Sequence, residues 1–514
     1  MNRPHLYDWF SAGAEKWPSE IAIEVDGLQL SYRRLEHAVA RMAGLINRAH
    51  GSRPPRRVGI LAARSLAAYA GYLAALRLGA TVVPLNPAFP PDRNRLLCDR
   101  AGVDVVITDE SAAGQVSSLP PGVTLVNPAA DAWRALLNGP VPDIPPCGRT
   151  NDVAYILFTS GSTGIPKGVP IRHENVAPYL DFNIERYQVG PGCRLSQAFD
   201  LTFDPSVFDL FVAWGAGATL VVPRKDELMA PVDFVNARRV THWFSVPWYI
   251  SMTSRLDQLT PDSMPGLRWS LFAGEQLTVE QADAWRTAAP RSVIENIYGP
   301  TELTVTCTGY RLPARRADWP VTANATVPIG RPYPFMETRV VDESGREAPE
   351  GELCVRGPQR FAGYLDSGDD AGRFLEIDDD GARPYDGTAP LESSHWYRTG
   401  DRVRWADGEL VHLGRLDAQV KINGCRVELG EIEAAVRGQE CVREAVVLVV
   451  PSARGAMEIV AVYTGEEARS RDLVTSVRRR LPRYMVPSRF KRLASFPLNA
   501  NGKIDRRRLA EELT

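Results

Sequence analysis

The chain has 514 residues, 44% of them hydrophobic and 24% charged, with a formal net charge of −2. That length suits about three domains with a large core, and the composition excludes a disordered chain and any global field that would recruit nucleic acid or an anionic membrane. Seven cysteines without a C-x-x-C pair speak against a disulfide framework or a zinc site and fit a reducing cytoplasm. The first residues, MNRPHLYDWF, hold no apolar signal core, and Pro, Gly or charge interrupts every longer apolar stretch, so no secretory or membrane-spanning segment is expected.

Residues 21–32 read as two short strands around Asp26-Gly27, and Ser31 is placed to cap a helix running through Leu35, Val39, Met42 and Ile46. Strand, helix and strand follow at 57–63, 65–78 and 81–85, then helix and strand at 95–101 and 103–108. This alternation predicts α/β organisation with a mostly parallel sheet. Residues 110–150, rich in Pro, Gly and Ser, read as surface connection.

The apolar run 153–158 stops at TSGSTG. A buried strand ending in a loop is expected there. Gly161 and Gly164 let backbone amides converge, Thr159, Ser160, Ser162 and Thr163 add hydroxyls, and Lys167 adds a positive charge, a combination suited to a polyphosphate. It is not a Walker A loop, because no G-x-x-x-x-G-K-[ST] can be drawn through it. A helix is expected over 175–186. Next, Asp204 precedes Pro205 and can be read equally as a helix cap or as a ligand group, with Phe199, Phe203 and Phe208 as core candidates. Two more strand-then-polar-loop units follow, LFAGE at 271–275 and IENIYGPTE at 294–302. In open α/β sheets ligands bind at such strand exits, and three in one chain predict one shared pocket.

From about residue 325 the texture turns to β, with strands at 339–341, 352–356, 402–405 and 409–413. Beyond GRLD at 414–417 the chain becomes compact and basic, with helices expected at 428–437 and 471–481 and a strand at 445–450. The arginine clusters 478–480 and 506–508 read as solvated faces, with nucleic-acid binding the minor alternative.

Eight segments, LFTSGSTGIPKG, FDPSVFDLF, YGPTE, GELCVRGPQRFAGYL, YRTGD, GRLDAQVKINGCRVELGEIE, LPRYMVPS and PLNANGKIDR, resemble in order the motifs of the adenylate-forming superfamily, specifically the amino-acid-activating enzymes of non-ribosomal peptide assembly. The resemblance runs from about residue 30 to residue 506. The chain departs from the usual pattern at 359–363, QRFAG, and at Asn423. The resemblance implies a mixed α/β fold: a large N-terminal domain (1–416) of two α/β sheets plus a β-barrel (about 325–416), and a small mobile α+β C-terminal domain (417–514) hinged at Asp417. It implies ATP and Mg2+, an amino acid, and the phosphopantetheine thiol of a carrier protein. Thr159 to Gly164 with Lys167 would hold the phosphates, Tyr298 would stack on adenine beside Gly274 and Gly299, and Thr301 would touch the α-phosphate. Glu302 would hold Mg2+, Asp401 the ribose hydroxyls with Arg415 nearby, and Lys503 would stabilise the charge of the transition state.

By the same resemblance Asp204 would bind the substrate ammonium, in a pocket of Asp204, Pro205, Phe208, Phe244, Leu271, Ala273, Ile297, Val305, Thr306 and Lys503. That wall favours a hydrophobic or small aliphatic side chain, and the Asp-Pro pair points further to a β-amino acid. Gly424 reads either as a hairpin turn or as a gap left for the thiol arm. The absence of a carrier motif after Asp505 favours a free-standing enzyme of natural-product biosynthesis. An acyl-CoA ligase is the nearer alternative. A non-catalytic homologue would be expected to lack Lys503, Glu302 or Asp401, and all three are present.

Overall fold

The computed structural model describes residues 5–128, 136–147, 153–161, 164–378, 381–417, 419–422, 424–451, 457–497 and 504–513. Ser162, Thr163 and Lys503 lie outside these. Two mixed sheets form the large domain. One has six strands in the order Thr124–Val126, Val105–Thr108, Arg57–Leu61, Thr81–Leu85, Val153–Thr159 and Lys167–Arg172, all parallel except the last. The other has nine, with a parallel centre in the order Ile21–Val25, Thr219–Val221, Arg194–Ser196, His242–Ser245, Trp269–Phe272 and Val293–Tyr298. The helix Leu66–Arg77 is buried all round except at Arg77, as its almost uninterrupted Ala, Leu and Tyr content requires of a helix inside one shared core.

The early elements follow the sequence closely. The hairpin turns at Asp26-Gly27, and the Ser31 hydroxyl accepts the Arg34 amide at 3.3 Å to cap Tyr32–Ala49. The stretch 110–150 is more than connection, since Thr124–Val126 adds a parallel strand to Val105–Thr108. Three residues are too few for a period to show.

The β-rich part is a six-stranded antiparallel sheet built on Trp396–Ala406, which pairs with Glu350–Arg356, Phe374–Asp378 and Glu409–Arg415. Beyond it lie a hairpin, Gln419–Ile422 with Cys425–Glu428, and a three-stranded sheet carrying Leu429–Arg437 and Ser470–Arg478. A buried Arg93–Glu431 ion pair, 2.6 Å, docks this small unit on the large one. Among the described residues no helix is long and apolar enough to cross a membrane, and no two cysteines form a disulfide.

Candidate active site

Four parallel strands release their chains at one end of the nine-stranded sheet. Their exits, Ala198 to Asp200, Ser245-Val246, Ala273-Gly274 and Gly299-Pro300-Thr301, line one cavity of about 270 Å³. Of the three exits expected to share a pocket, those at LFAGE and IENIYGPTE do so, joined by two others, whereas none of the described residues of the Thr159–Lys167 loop, which leaves the six-stranded sheet, lines the cavity. Asp401, Arg415 and the small-domain hairpin close the cavity, and a second space of about 380 Å³ continues past Tyr298 toward Asn296, Ile297 and His412.

Asp204 occupies the N-cap position of Pro205–Gly215 with Pro205 in the first turn, yet its side chain makes no capping hydrogen bond. It is buried in the cavity wall, and its Oδ2 meets no donor among the described residues. Burial and then the nearby Glu302 charge push its carboxyl up to about 7; the Thr301 hydroxyl and the Asp204 and Val305 amides offset only part of this. Val305 stands at φ +71° and Thr304 at φ +56°, a strained turn for β-branched residues. Gln359, within the departure from the usual motif, holds that turn by donating its amide to the carbonyls of Leu303, Thr304 and Thr306 at 2.8–3.0 Å. Gly299 is required by close approach, since a Cβ there would lie 2.6 Å from the Thr306 Cα.

Of the remaining expected pocket residues, Pro205, Ala273 and Val305 line the cavity, together with Phe199, Phe203 and Val246. Ile297 lines the adjoining space. Phe208, Phe244, Leu271 and Thr306 do not line the cavity. Phe244 packs edge-on against Phe199 and Phe208 at centroid distances of 4.8 and 5.2 Å, and the Thr306 hydroxyl is shared with Tyr333 at 2.8 Å, so both are committed to the core.

Asp401, by contrast, is held by three side chains. Tyr298 donates its hydroxyl to Oδ2 at 2.6 Å, while His412 Nε2 at 2.9 Å and Arg415 at 3.1 Å face Oδ1. Burial alone would raise its carboxyl, but the His412 hydrogen bond and the Arg415 charge hold it well below the usual carboxylate range. Arg415 also grips the hinge candidate Asp417 through two hydrogen bonds, 2.6 and 2.9 Å.

The hairpin reaches the groups expected to meet phosphate and metal. Arg426 pairs with the fully buried Glu302 at 2.9 Å, and Tyr364 donates to the same carboxylate at 2.8 Å. Burial opposes ionisation of Glu302, yet the Arg426 charge holds its carboxyl below its ordinary value. Ser160 donates to the Arg426 carbonyl and accepts the Glu428 amide, both at 3.2 Å. Gly161 accepts the Gly164 amide within the loop, Thr159 pairs with Lys167 across the strands, and Lys167 is held by Asp369 at 2.9 Å. Gly424 makes the hairpin turn at φ +78°, where any side chain would collide with Val246; its amide donates to Glu275 at 2.7 Å. Arg426, Glu275 and His412 escaped the sequence reading as separate residues. Arg426 stands inside the quoted GRLDAQVKINGCRVE, whereas nothing in the sequence marks His412.

No group of three or more potential metal ligands occurs among the described residues. A single buried carboxylate, Glu302, does fit a Mg2+ ion that arrives with a nucleotide, because that ion usually takes one or two carboxylates and completes its shell with phosphates and water.

Strand exits gathered at a sheet end, with one carboxylate short of donors and another well supplied with them in the same cavity, are the features of an α/β ligand site. Sequence comparison makes the class specific: residues 10–365 match the AMP-binding enzyme family and residues 431–503 its C-terminal domain. The chain belongs to that family. It is 37% identical, over 99% of its length, to phosphinothricin tripeptide synthetase PhsC of Streptomyces viridochromogenes, of which it covers 45%. It is 33% identical to the L-proline–[L-prolyl-carrier protein] ligase of Pseudomonas fluorescens, covering 99% of each chain. Among solved structures, the adenylation domain AlmE of Vibrio cholerae, in complex with glycyl-adenosine-5'-phosphate, superposes with a TM-score of 0.82 at 27% identity over 100% and 98% of the two chains. The chain spans less than half the length of several curated relatives, 11% of gramicidin S synthase 2 from Aneurinibacillus migulanus among them.

Proposed function

We propose that this enzyme activates an amino acid with ATP as the aminoacyl-adenylate and transfers the acyl group to the phosphopantetheine thiol of a carrier protein. The observation that carries this reading is the buried Asp204 oxygen without a donor. An unpaired carboxylate in an apolar wall is costly, and a substrate ammonium is the partner that would remove the cost. The names of the prolyl-carrier ligase and of the glycyl-adenylate complex point the same way. The cavity walls, Phe199, Phe203, Pro205, Val246, Ala273 and Val305, favour a hydrophobic or small aliphatic side chain. Pro205 beside Asp204 extends the proposal to β-amino acids.

In the first step a substrate carboxylate oxygen attacks the α-phosphorus, and the bond from that phosphorus to the pyrophosphate oxygen breaks. Such transfer needs positioning and charge neutralisation rather than a protein nucleophile. Asp204 orients the ammonium, Tyr298 and Asp401 take the adenosine, Thr301 lies beside the phosphorus, and Ser160 and Lys167 face the leaving phosphates. Glu302 would hold Mg2+, whose contribution is to neutralise phosphate charge. Lys503 takes the transition-state charge on the strength of its place in PLNANGKIDR. In the second step the thiol sulfur attacks the acyl carbon and AMP leaves. Because the hairpin engages both Ser160 and Glu302 here, we assign this arrangement to thiol transfer, with the small domain swinging about Asp417 for adenylation.

ATP–pyrophosphate exchange across α-amino, β-amino and plain carboxylic acids tests the reading. Exchange is expected with aliphatic amino acids and should be lost when the amino group is removed. Exchange driven equally well by the deaminated acids would move the chain to acyl-CoA ligase chemistry.

A further inference from the structure

The adenosine end contains a group that the proposed mechanism leaves unused. His412, on Glu409–Arg415, lies across the sheet pairing from Trp396–Ala406, with its Nε2 2.9 Å from Asp401 Oδ1. Its Nδ1 lies 3.0 Å from Gln276 Nε2, and that same amide nitrogen is 3.0 Å from the His412 carbonyl oxygen. The second contact fixes the orientation of the Gln276 amide, because a carbonyl oxygen can only accept, so the atom facing it must be the NH2. The NH2 therefore also donates to Nδ1, Nδ1 carries the lone pair, and Nε2 carries the proton that goes to Asp401. Asn324 adds a 2.9 Å hydrogen bond to the same His412 carbonyl, anchoring the backbone beneath the ring. The side chains of His412 and Asp401 are only 13% and 3% exposed, so little solvent competes for that proton.

We propose that His412 is a positioning residue for nucleotide recognition: held by Gln276 as the neutral Nε2–H tautomer, it fixes the Asp401 carboxylate in the orientation that accepts a ribose hydroxyl. A carboxylate offers about four acceptor directions. His412 and Tyr298 fill two by hydrogen bonds, Arg415 stands against Oδ1 as an ion pair while donating to the Thr399 carbonyl, and the arrangement leaves acceptor capacity for the ligand. The imidazole needs no charge for this role, because the tautomer already points its proton at Asp401. The proposal rests on the assignment of Asp401 to the ribose, and the test separates the two.

The test measures equilibrium binding of ATP, 2'-deoxy-ATP and 3'-deoxy-ATP by calorimetry, with amino-acid KM in pyrophosphate exchange as the control. The wild-type enzyme should prefer ATP over at least one deoxy analogue, and Asp401→Asn should abolish the preference. His412→Phe keeps a ring of similar size but removes the donor; it should weaken ATP about fivefold, the worth of one hydrogen bond, and shrink the preference while amino-acid KM stays fixed. His412→Gln, which can present an amide proton near the same place, should recover most of the loss. Gln276→Leu, at an exposed position, frees the tautomer and should reproduce part of it. A His412→Phe enzyme with the wild-type preference, alongside an Asp401→Asn enzyme that has lost it, overturns the proposal. An Asp401→Asn enzyme that keeps the preference removes the ribose assignment itself, and the proposal with it.

Discussion

Asp204 and Asp401 line the same cavity and are both buried, yet their surroundings treat them in opposite ways. Asp401 has a tyrosine, a histidine and an arginine directed at it and stays ionised far below the usual range. Asp204 has one bare oxygen, a like charge in Glu302 nearby, and a carboxyl pushed up to about 7. A saturated carboxylate is a preorganised acceptor, fixed before its ligand arrives and suited to neutral hydroxyls. A starved carboxylate is a vacancy for a cation. On the proposed function the two carboxylates would select different kinds of ligand, with the reacting phosphate between them.

Removing the starved group should produce the largest effect. Asp204→Ala is expected to lower kcat/KM for the amino acid about 10²-fold, within the range for truncating one partner of a buried charge pair, with ATP binding nearly unchanged. If instead kcat/KM holds and the melting temperature falls, the residue serves the helix start and not the substrate. At the other end, Asp401→Asn should raise the KM for ATP about tenfold, since it weakens the charge-assisted hydrogen bonds of Tyr298 and His412, removes the ion pair with Arg415, and weakens the bond to the ligand. Its amino-acid KM should stay close to wild type. A variant that moved both KM values equally would erase the division of labour.

The sequence disclosed this contrast unevenly. Strand exits were legible because apolar runs that stop at Gly, Ser and Thr are local signals, and the Tyr298-Gly299-Pro300-Thr301-Glu302 run brings its own loop. Asp204 was legible as a carboxylate among apolar residues, but whether it caps a helix depended on a side-chain direction that no spacing encodes. His412 and Arg426 were invisible as site residues. Each reaches its partner, Asp401 or Glu302, only through strand pairing or docking of the small domain, contacts 11 and 124 residues apart in the chain. Phe208, Phe244 and Thr306 show the converse limit: the right stretch of chain was marked, while aromatic packing turned those side chains into the core.

Acidity sharpens the comparison further. Only an ionised Asp204 attracts an ammonium, and the substrate amine remains protonated throughout pH 6–8. With the carboxyl near 7, the ionised fraction falls from about nine-tenths at pH 8 to about one-tenth at pH 6, so the amino-acid Kd should rise roughly tenfold over that interval. Asp401, held far below this range, predicts a flat profile for ATP. Equal pH slopes for both ligands would contradict the assignment.

The smallest effect lies in the stability of the ligand-free protein. Asp204 has a folded pKa raised to about 7 from the ordinary carboxylate value. Between those two values the folded state holds more protons than the unfolded state, so stability attributable to this group falls as pH rises. The penalty is absent below the unfolded pKa, grows through pH 5 and 6, and is complete above about 7. Asp204→Asn keeps the shape, can accept the Thr301 and Val305 donors through its carbonyl, and carries no charge to desolvate. Its melting temperature should therefore exceed that of the wild type at pH 8 by on the order of 2–5 °C, with the gap closing toward pH 4. Saturating amino acid should close the same gap at pH 8, because the ammonium then supplies the missing partner and stabilises only the wild-type carboxylate. A constant offset at all pH values would mean that the asparagine repacks the turn at Thr304 and Val305 rather than relieving a buried charge. Differential scanning calorimetry of the two proteins from pH 4 to pH 8, with and without substrate, distinguishes these outcomes.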